Sequence, residues 1–224
     1  MEWDGGNGNL RFYDKEKKEN VDLGSKFTFI LLDQLSTIRG WHDPSESGIH
    51  SNEVKDTRKD PFVVKAFKGN GVLAEGIYSA IKDRVAAVGG NFNVNLYVAF
   101  KENGEMKIGS VMFKGAALRE WSDFRNKNRN DLYKKAVDIA GFTEGKKGKV
   151  TYRVPVFALR EITPETNDAA TKLDIELQKF LSSYLTRPVM DQTRQPAHPE
   201  PDPEPEFHQP EPDYDIPIDE SSPF

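Results

Sequence analysis

The sequence predicts a mainly β body with helices, built on a five-stranded Greek-key barrel and followed by a disordered acidic tail. Three observations predict it. Residues 26–114 contain runs rich in β-branched and aromatic residues, punctuated by Gly- and Asn-containing breaks. A stretch with apolar residues at helical spacing falls inside that series. The last 34 residues, 191–224, abandon both patterns for alternating proline and acid.

Taken in order, KFTFILLDQLSTIRGW (26–41) reads as a long strand, bent near Asp33, and GIHSNEV (48–54) as a short return strand. DTRKDP (56–61) is a polar turn, FVVKAFK (62–68) a third strand, and GNG (69–71) its break. VLAEGIYSAIKDRVAAV (72–88) places Leu73, Ile77, Ile81 and Val85 on one helical face, and Gly89–Gly90 stop it. NFNVNLYVAFK (91–101) alternates, with Phe92, Val94, Leu96, Val98 and Phe100 on one side. Glu-Asn-Gly-Glu (102–105) is a hairpin turn into MKIGSVMFK (106–114). Three strands, a helix and a two-stranded hairpin are the element order of the OB-fold, a small barrel that commonly binds oligonucleotides. Beyond it, 116–128 and 130–142 read as helices, and 148–162 as an extra strand whose Pro155 suits an edge or bulge. Residues 163–185 read as a helix opened by Thr163 and Pro164.

Charge divides the chain at the same boundary. Residues 191–224 hold nine of the 14 prolines and ten acids against the single base Arg194, a net charge of 1 − 10 = −9. The whole chain is −5, so residues 1–190 carry −5 + 9 = +4. A mildly basic body with a polyanionic leash suggests a body that meets a polyanion and a tail that meets something basic; an acidic tail also serves solubility alone. Cysteine is absent, which excludes disulfides and thiolate chemistry. The first residues, MEWDGGNGNL, do not read as a signal peptide, and no apolar run approaches a membrane span. The expectation is an intracellular, cytoplasmic protein without a membrane partner.

Catalysis has no visible support. His42, Asp43, His50 and Glu53 are the only local cluster of metal-ligand types, at a spacing that matches no metal motif. GNGVLAEG (69–76) lacks the spacing of a phosphate loop and reads as turn glycines. No metal, no cofactor and no enzymatic activity are expected. Binding residues are more legible. If Phe62, Val64 and Ala66 face the core, then Val63, Lys65 and Phe67 share the opposite face. On 91–101 that opposite face carries Asn93, Asn95, Tyr97 and Lys101. Rings interleaved with lysines are what a single strand needs, because bases stack on rings and cations track phosphates. Arg39, Trp41, Lys55, Arg58, Lys59 and Lys68 fall at the rim of the same sheet. The structural alternative packs Phe67 beneath a helix and makes Tyr97 an ordinary sheet tyrosine. RNKNR (125–129) and EGKKGK (144–149) are further basic stretches that also suit solvated turns.

The chain ends DYDIPIDESSPF, with apolar residues at the tip of a polar segment. Asp213, Asp215, Ile216, Pro217, Asp219, Glu220, Pro223 and Phe224 resemble the carboxy-terminal tip of the single-stranded-DNA-binding proteins of bacteria and many phages. Ile-Asp-Glu-Ser-Ser is interposed between Ile-Pro and Pro-Phe, a departure from the bacterial form, and the larger body points to a phage-type member. The resemblance implies an OB-fold body that coats single-stranded DNA in replication, recombination or repair. It also implies a tail that recruits a polymerase, helicase or primase. A terminal Phe offers a ring and an α-carboxylate together, suited to an apolar pocket rimmed by Arg or Lys. The rival expectation is an assembly factor whose acidic tail binds a basic client, without DNA affinity. Self-association is left open.

Overall fold

A computed structural model of the chain describes residues 1–69 and 71–187. The expected tail, 191–224, lies outside the described residues. The body is mainly β, with three helices. Its first strands are β1 (Glu2–Asp4), β2 (Asn9–Asp14) and β3 (Glu19–Gly24), in a segment to which the sequence reading assigned no elements. The long β4 (Phe27–His42) leads through a 3-10 turn (Asp43–Ser45) to β5 (Ser47–Ser51), β6 (Phe62–Ala66) and β7 (Val72–Gly76). Helix α1 (Tyr78–Ala87) precedes the hairpin β8 (Gly90–Glu102) and β9 (Glu105–Lys114). Helix α2 (Gly115–Lys127), the hairpin β10 (Ala136–Lys147) and β11 (Val150–Arg160), and α3 (Pro164–Leu185) follow.

The strands form one mixed sheet in the order β3-β2-β1-β9-β8-β4-β5-β6-β7, with β10 added to the start of β4 and β11 to β10. The expected five-stranded barrel is not confirmed: eleven strands pair, and the sheet does not close. β4 holds it together, pairing with β5, β8 and β10. Its register against β8 shifts between Leu31 and Asp33, the bend expected near Asp33. The β8–β9 turn is Asn103–Gly104, with φ of 52° and 87° at the two positions, the left-handed pair that such a two-residue hairpin requires.

Two segments differ from expectation. Residues 72–76 form β7, and the helix begins only at Tyr78: Val64 and Ala74 pair across β6 and β7, and Ala74 is buried. Residues 130–142 are a turn followed by β10, since Val137, Asp138 and Ile139 pair with Phe29, Thr28 and Phe27 of β4. Sheet pairing satisfies these backbone groups and buries Val137 and Ile139, which outweighs local helical preference.

The core lies on both sheet faces. On one, Ile38, Phe62, Val64 and Ala74 pack against Ile81 and Val85 of α1. Farther along, Val94, Leu96, Val98, Val111 and Phe113 pack with Trp121 of α2 and Phe157 of β11. On the other face α3 covers Leu35, Ala99 and Tyr97 with Ala170, Leu177, Leu181 and Tyr184. Thr163 caps α3, its hydroxyl accepting from the Thr166 N–H at 3.3 Å. Among the described residues, no helix is long and apolar enough to cross a membrane.

Candidate nucleic-acid interface

Helix α3 packs against only part of its face of the sheet. Beyond α3, on the side opposite α1, strand pairing lines up side chains in rows, because directly paired residues point the same way. Asn91, Arg39, His50 and Lys65 form one row across β8, β4, β5 and β6. Lys114, Asn93 and Thr37 form the next, across β9, β8 and β4. Trp41 stands two residues beyond Arg39 and opposite Gly48, and Phe67 two residues beyond Lys65.

The aromatic centre of this face is well defined. The Phe67 ring stacks on His50, with centroids 4.3 Å apart and planes at 22°. Gly48 makes room for it: a Cβ there would lie 2.9 Å from the Phe67 ring. The Phe67 N–H donates to the Gly48 carbonyl at 3.0 Å, and the Lys68 N–H to the Ser47 hydroxyl at 3.0 Å, which fixes the chain end carrying the ring. Trp41 and Phe67 remain 38% and 39% exposed, so each presents an accessible ring surface. The end of β4 is pinned where the Trp41 N–H donates to the Gly89 carbonyl at 3.3 Å. Gly89 has φ +85° and sits against the Trp41 carbonyl, so a side chain there fits neither the backbone angle nor the space.

Around the rings the face is polar. Arg39 is half-buried, and its Nε has no hydrogen-bond partner among the described residues. Asn93 is buried; its amide donates to the Asn91 carbonyl at 2.9 Å, but its Oδ1 likewise lacks a partner among them. Buried polar atoms are almost always paired, so two such atoms in neighbouring rows are exceptions to that rule. Lys65 is buried, and Lys68 reaches the Glu46 carbonyl with Nζ at 3.1 Å.

The structure brings together Arg39, Trp41, Lys65, Phe67 and Lys68 and separates the other expected contacts from them. Tyr97 packs in the cluster under α3, its hydroxyl donating to Glu53 Oε2 at 2.8 Å, while Asn95 donates to Oε1 at 2.8 Å. Burial, and then the Glu53 carboxylate, push the Tyr97 phenol well above its ordinary value. Tyr97 is thus tied into the fold rather than offered as a stacking surface. Lys55 donates to buried Asp33 at 2.9 Å, an oxygen shared with Gln178 of α3. Arg58 and Lys59 pair with Asp56 in the β5–β6 loop at 3.5 and 3.3 Å; the Arg58 backbone N–H is the largest influence holding the Asp56 carboxyl low. Lys101 is exposed on the same strand as Asn91 but roughly 30 Å along it, at about 3.3 Å per residue. The tip residues Asp213, Asp215, Ile216, Pro217, Asp219, Glu220, Pro223 and Phe224 lie outside the described residues.

Sequence reasoning passed over Lys114, and it weighed His50 only within a cluster of metal-ligand types that it set aside. The two-residue alternation that picked out Lys65 and Phe67 would also have placed Lys114 opposite Phe113. The coupling of His50 to Phe67 depends on strand register. Of the metal-type cluster, His42 Nδ1 meets the Ser45 hydroxyl at 2.7 Å, His50 stacks on Phe67, and Glu53 holds Asn95 and Tyr97. Among the described residues no three His, Asp or Glu side chains group to hold a metal. Comparison of the chain with protein-family models, with characterised proteins and with solved structures finds no match in any of the three.

Proposed function

We propose that the chain is a single-stranded-DNA-binding protein without enzymatic activity, of a replication, recombination or repair system of phage type. One observation carries the reading: exposed Trp41 and the Phe67–His50 stack lie on a helix-free sheet face with half-buried Arg39 and exposed Lys68 beside them. A flexible polyanion with a π-surface at each unit fits such a face. Its bases stack on the two rings, each contact contributing about 1–3 kcal/mol, and its phosphates meet the cations. Every base has a π-face, so the binding is tolerant of sequence. The order β4-β5-β6, α1, β8-β9, with the long bent β4 pairing both β5 and β8, supports an OB-type core with extra strands added. The acidic tail with its Phe224 tip supports recruitment of a polymerase, helicase or primase, by its resemblance to such tips.

The test is titration of tryptophan fluorescence with oligo(dT), against duplex of equal length, over a salt series. The expected result is quenching by the single strand and a linear fall of log affinity with log salt. Trp41→Ala and Phe67→Ala should each lower affinity about tenfold, the equivalent of about 1.4 kcal/mol, with unchanged circular dichroism. Equal affinity for duplex, or binding indifferent to salt, sinks the proposal.

A further inference from the structure

The β10–β11 hairpin runs past the sheet that anchors it. β10 pairs with β4 only as far as Ile139 opposite Phe27, yet pairs with β11 to Lys147 opposite Val150. The last bonds to the body sit at Arg153. Its N–H donates to the Gly5 carbonyl at 2.8 Å and its carbonyl accepts from the Trp3 indole at 2.9 Å, while within the hairpin its guanidinium lies over the Phe142 ring at 5.5 Å. Past that brace the hairpin continues as a two-stranded arm, residues 145–152, without a hydrogen bond to the body among the described residues.

The arm is basic. Arg153 pairs with Glu144 at 3.2 Å. Lys146, Lys147 and Lys149 are exposed, and none has a carboxylate partner among the described residues. Tyr152 lays its ring over Gly145, where a side chain would collide with it. The tip lies at the far end of β4 from Trp41. At about 3.3 Å per residue the strand path between them is roughly 70 Å, shortened by the bend at the β4 bulge.

We propose that this arm is a second, separate contact for the phosphate backbone of single-stranded nucleic acid, engaged only by strands long enough to extend beyond the aromatic face. The inference rests on the DNA-binding reading above and adds to it a site that reads charge alone. Three lysines on a narrow ribbon suit phosphates; the rings nearest them are Tyr152, lying over Gly145, and Phe142, under the Arg153 guanidinium.

The experiment uses the full chain and its Lys146→Ala/Lys147→Ala/Lys149→Ala variant, with oligo(dT) of about 8 and about 30 nucleotides, spanning the site size of one OB-type face and well beyond it. With the long oligonucleotide the variant should show a log–log salt slope shallower by about 2, at about 0.7 per lost contact. With the short one the two proteins should coincide. A Lys→Arg triple variant should restore the slope. An unchanged slope on the long strand overturns the arm while leaving the DNA-binding reading intact. An equal loss on both lengths overturns its separateness. If the difference disappears once residues 188–224 are removed, the arm's partner is the acidic tail and the proposal is wrong. A wild-type chain that binds neither oligonucleotide removes both readings together.

Discussion

Phe67 owes its position to a missing side chain. With Gly48 beneath it, the ring rests on His50; with Ala there, the added Cβ sits 2.9 Å from ring atoms and the ring must move. Gly48→Ala should therefore fold, keep every aromatic residue, and still lose single-strand affinity by up to the tenfold expected of Phe67→Ala. Fluorescence titration checks it, and undiminished affinity would show that Phe67 does not need this seat. Tyr97 gives the opposite case. Tyr97→Phe leaves the buried Glu53 carboxylate with one donor among the described residues, Asn95, and should cost about 1–3 kcal/mol of stability with little change in DNA affinity. The same phenol sets a pH dependence. Its folded-state pKa is raised above the ordinary 10.0, so above that pH the unfolded chain releases the proton that the folded chain keeps. The unfolded state then binds fewer protons, and stability falls as pH rises. Urea unfolding followed from pH 8 to about 11 should show a shallower alkaline fall in Tyr97→Phe than in the wild type.

At the scale of elements, α3 decides which part of the sheet face carries a helix. Leu177 and Leu181 bury against Leu35 and Ala99, so Leu181→Ala should cost about 2–5 kcal/mol, read as a lower midpoint in urea. Leu181→Asp should lift the helix and expose an apolar sheet surface to a dye such as ANS, while Phe67 and Trp41, outside its cover, keep their environment. Sequence patterning revealed much of this layer. The alternation along β8, the bend of β4, the Asn103–Gly104 turn and the Thr163 cap are local signals, each contained within a few residues. What stayed hidden depends on partners far along the chain. β10 reads as a helix until Phe27 to Phe29 are seen to pair with it. β1 is too short to announce itself, and holds through the Met1 ammonium donating to the Ser110 carbonyl at 2.9 Å and through β2. The candidate site divides in the same way. Strand alternation put Lys65 and Phe67 on one face, but only register and helix placement set Tyr97 apart from them.

For the whole molecule the governing quantity is the division of charge between a +4 body and a −9 tail. Opposite charges tethered in one chain attract, and the tail competes with any other polyanion for basic surface on the body. Deleting residues 191–224 removes that competitor, so affinity for oligo(dT) should hold or rise. The gain should be largest at low salt, where the screening length is longest, and shrink towards physiological ionic strength. Deleting Phe224 alone leaves the side-chain charge and the linker unchanged, so DNA affinity should barely move. On the proposed reading, capture of a polymerase, helicase or primase of the same system in a pull-down should fall sharply, because the ring proposed to anchor the docking segment is gone. The pair of deletions separates electrostatic competition from docking, since the first changes charge and the second changes only the anchor. Loss of DNA binding on deleting the whole tail would place the tail within the binding surface itself, and the sheet face centred on Trp41 and Phe67 would then be insufficient to hold a strand.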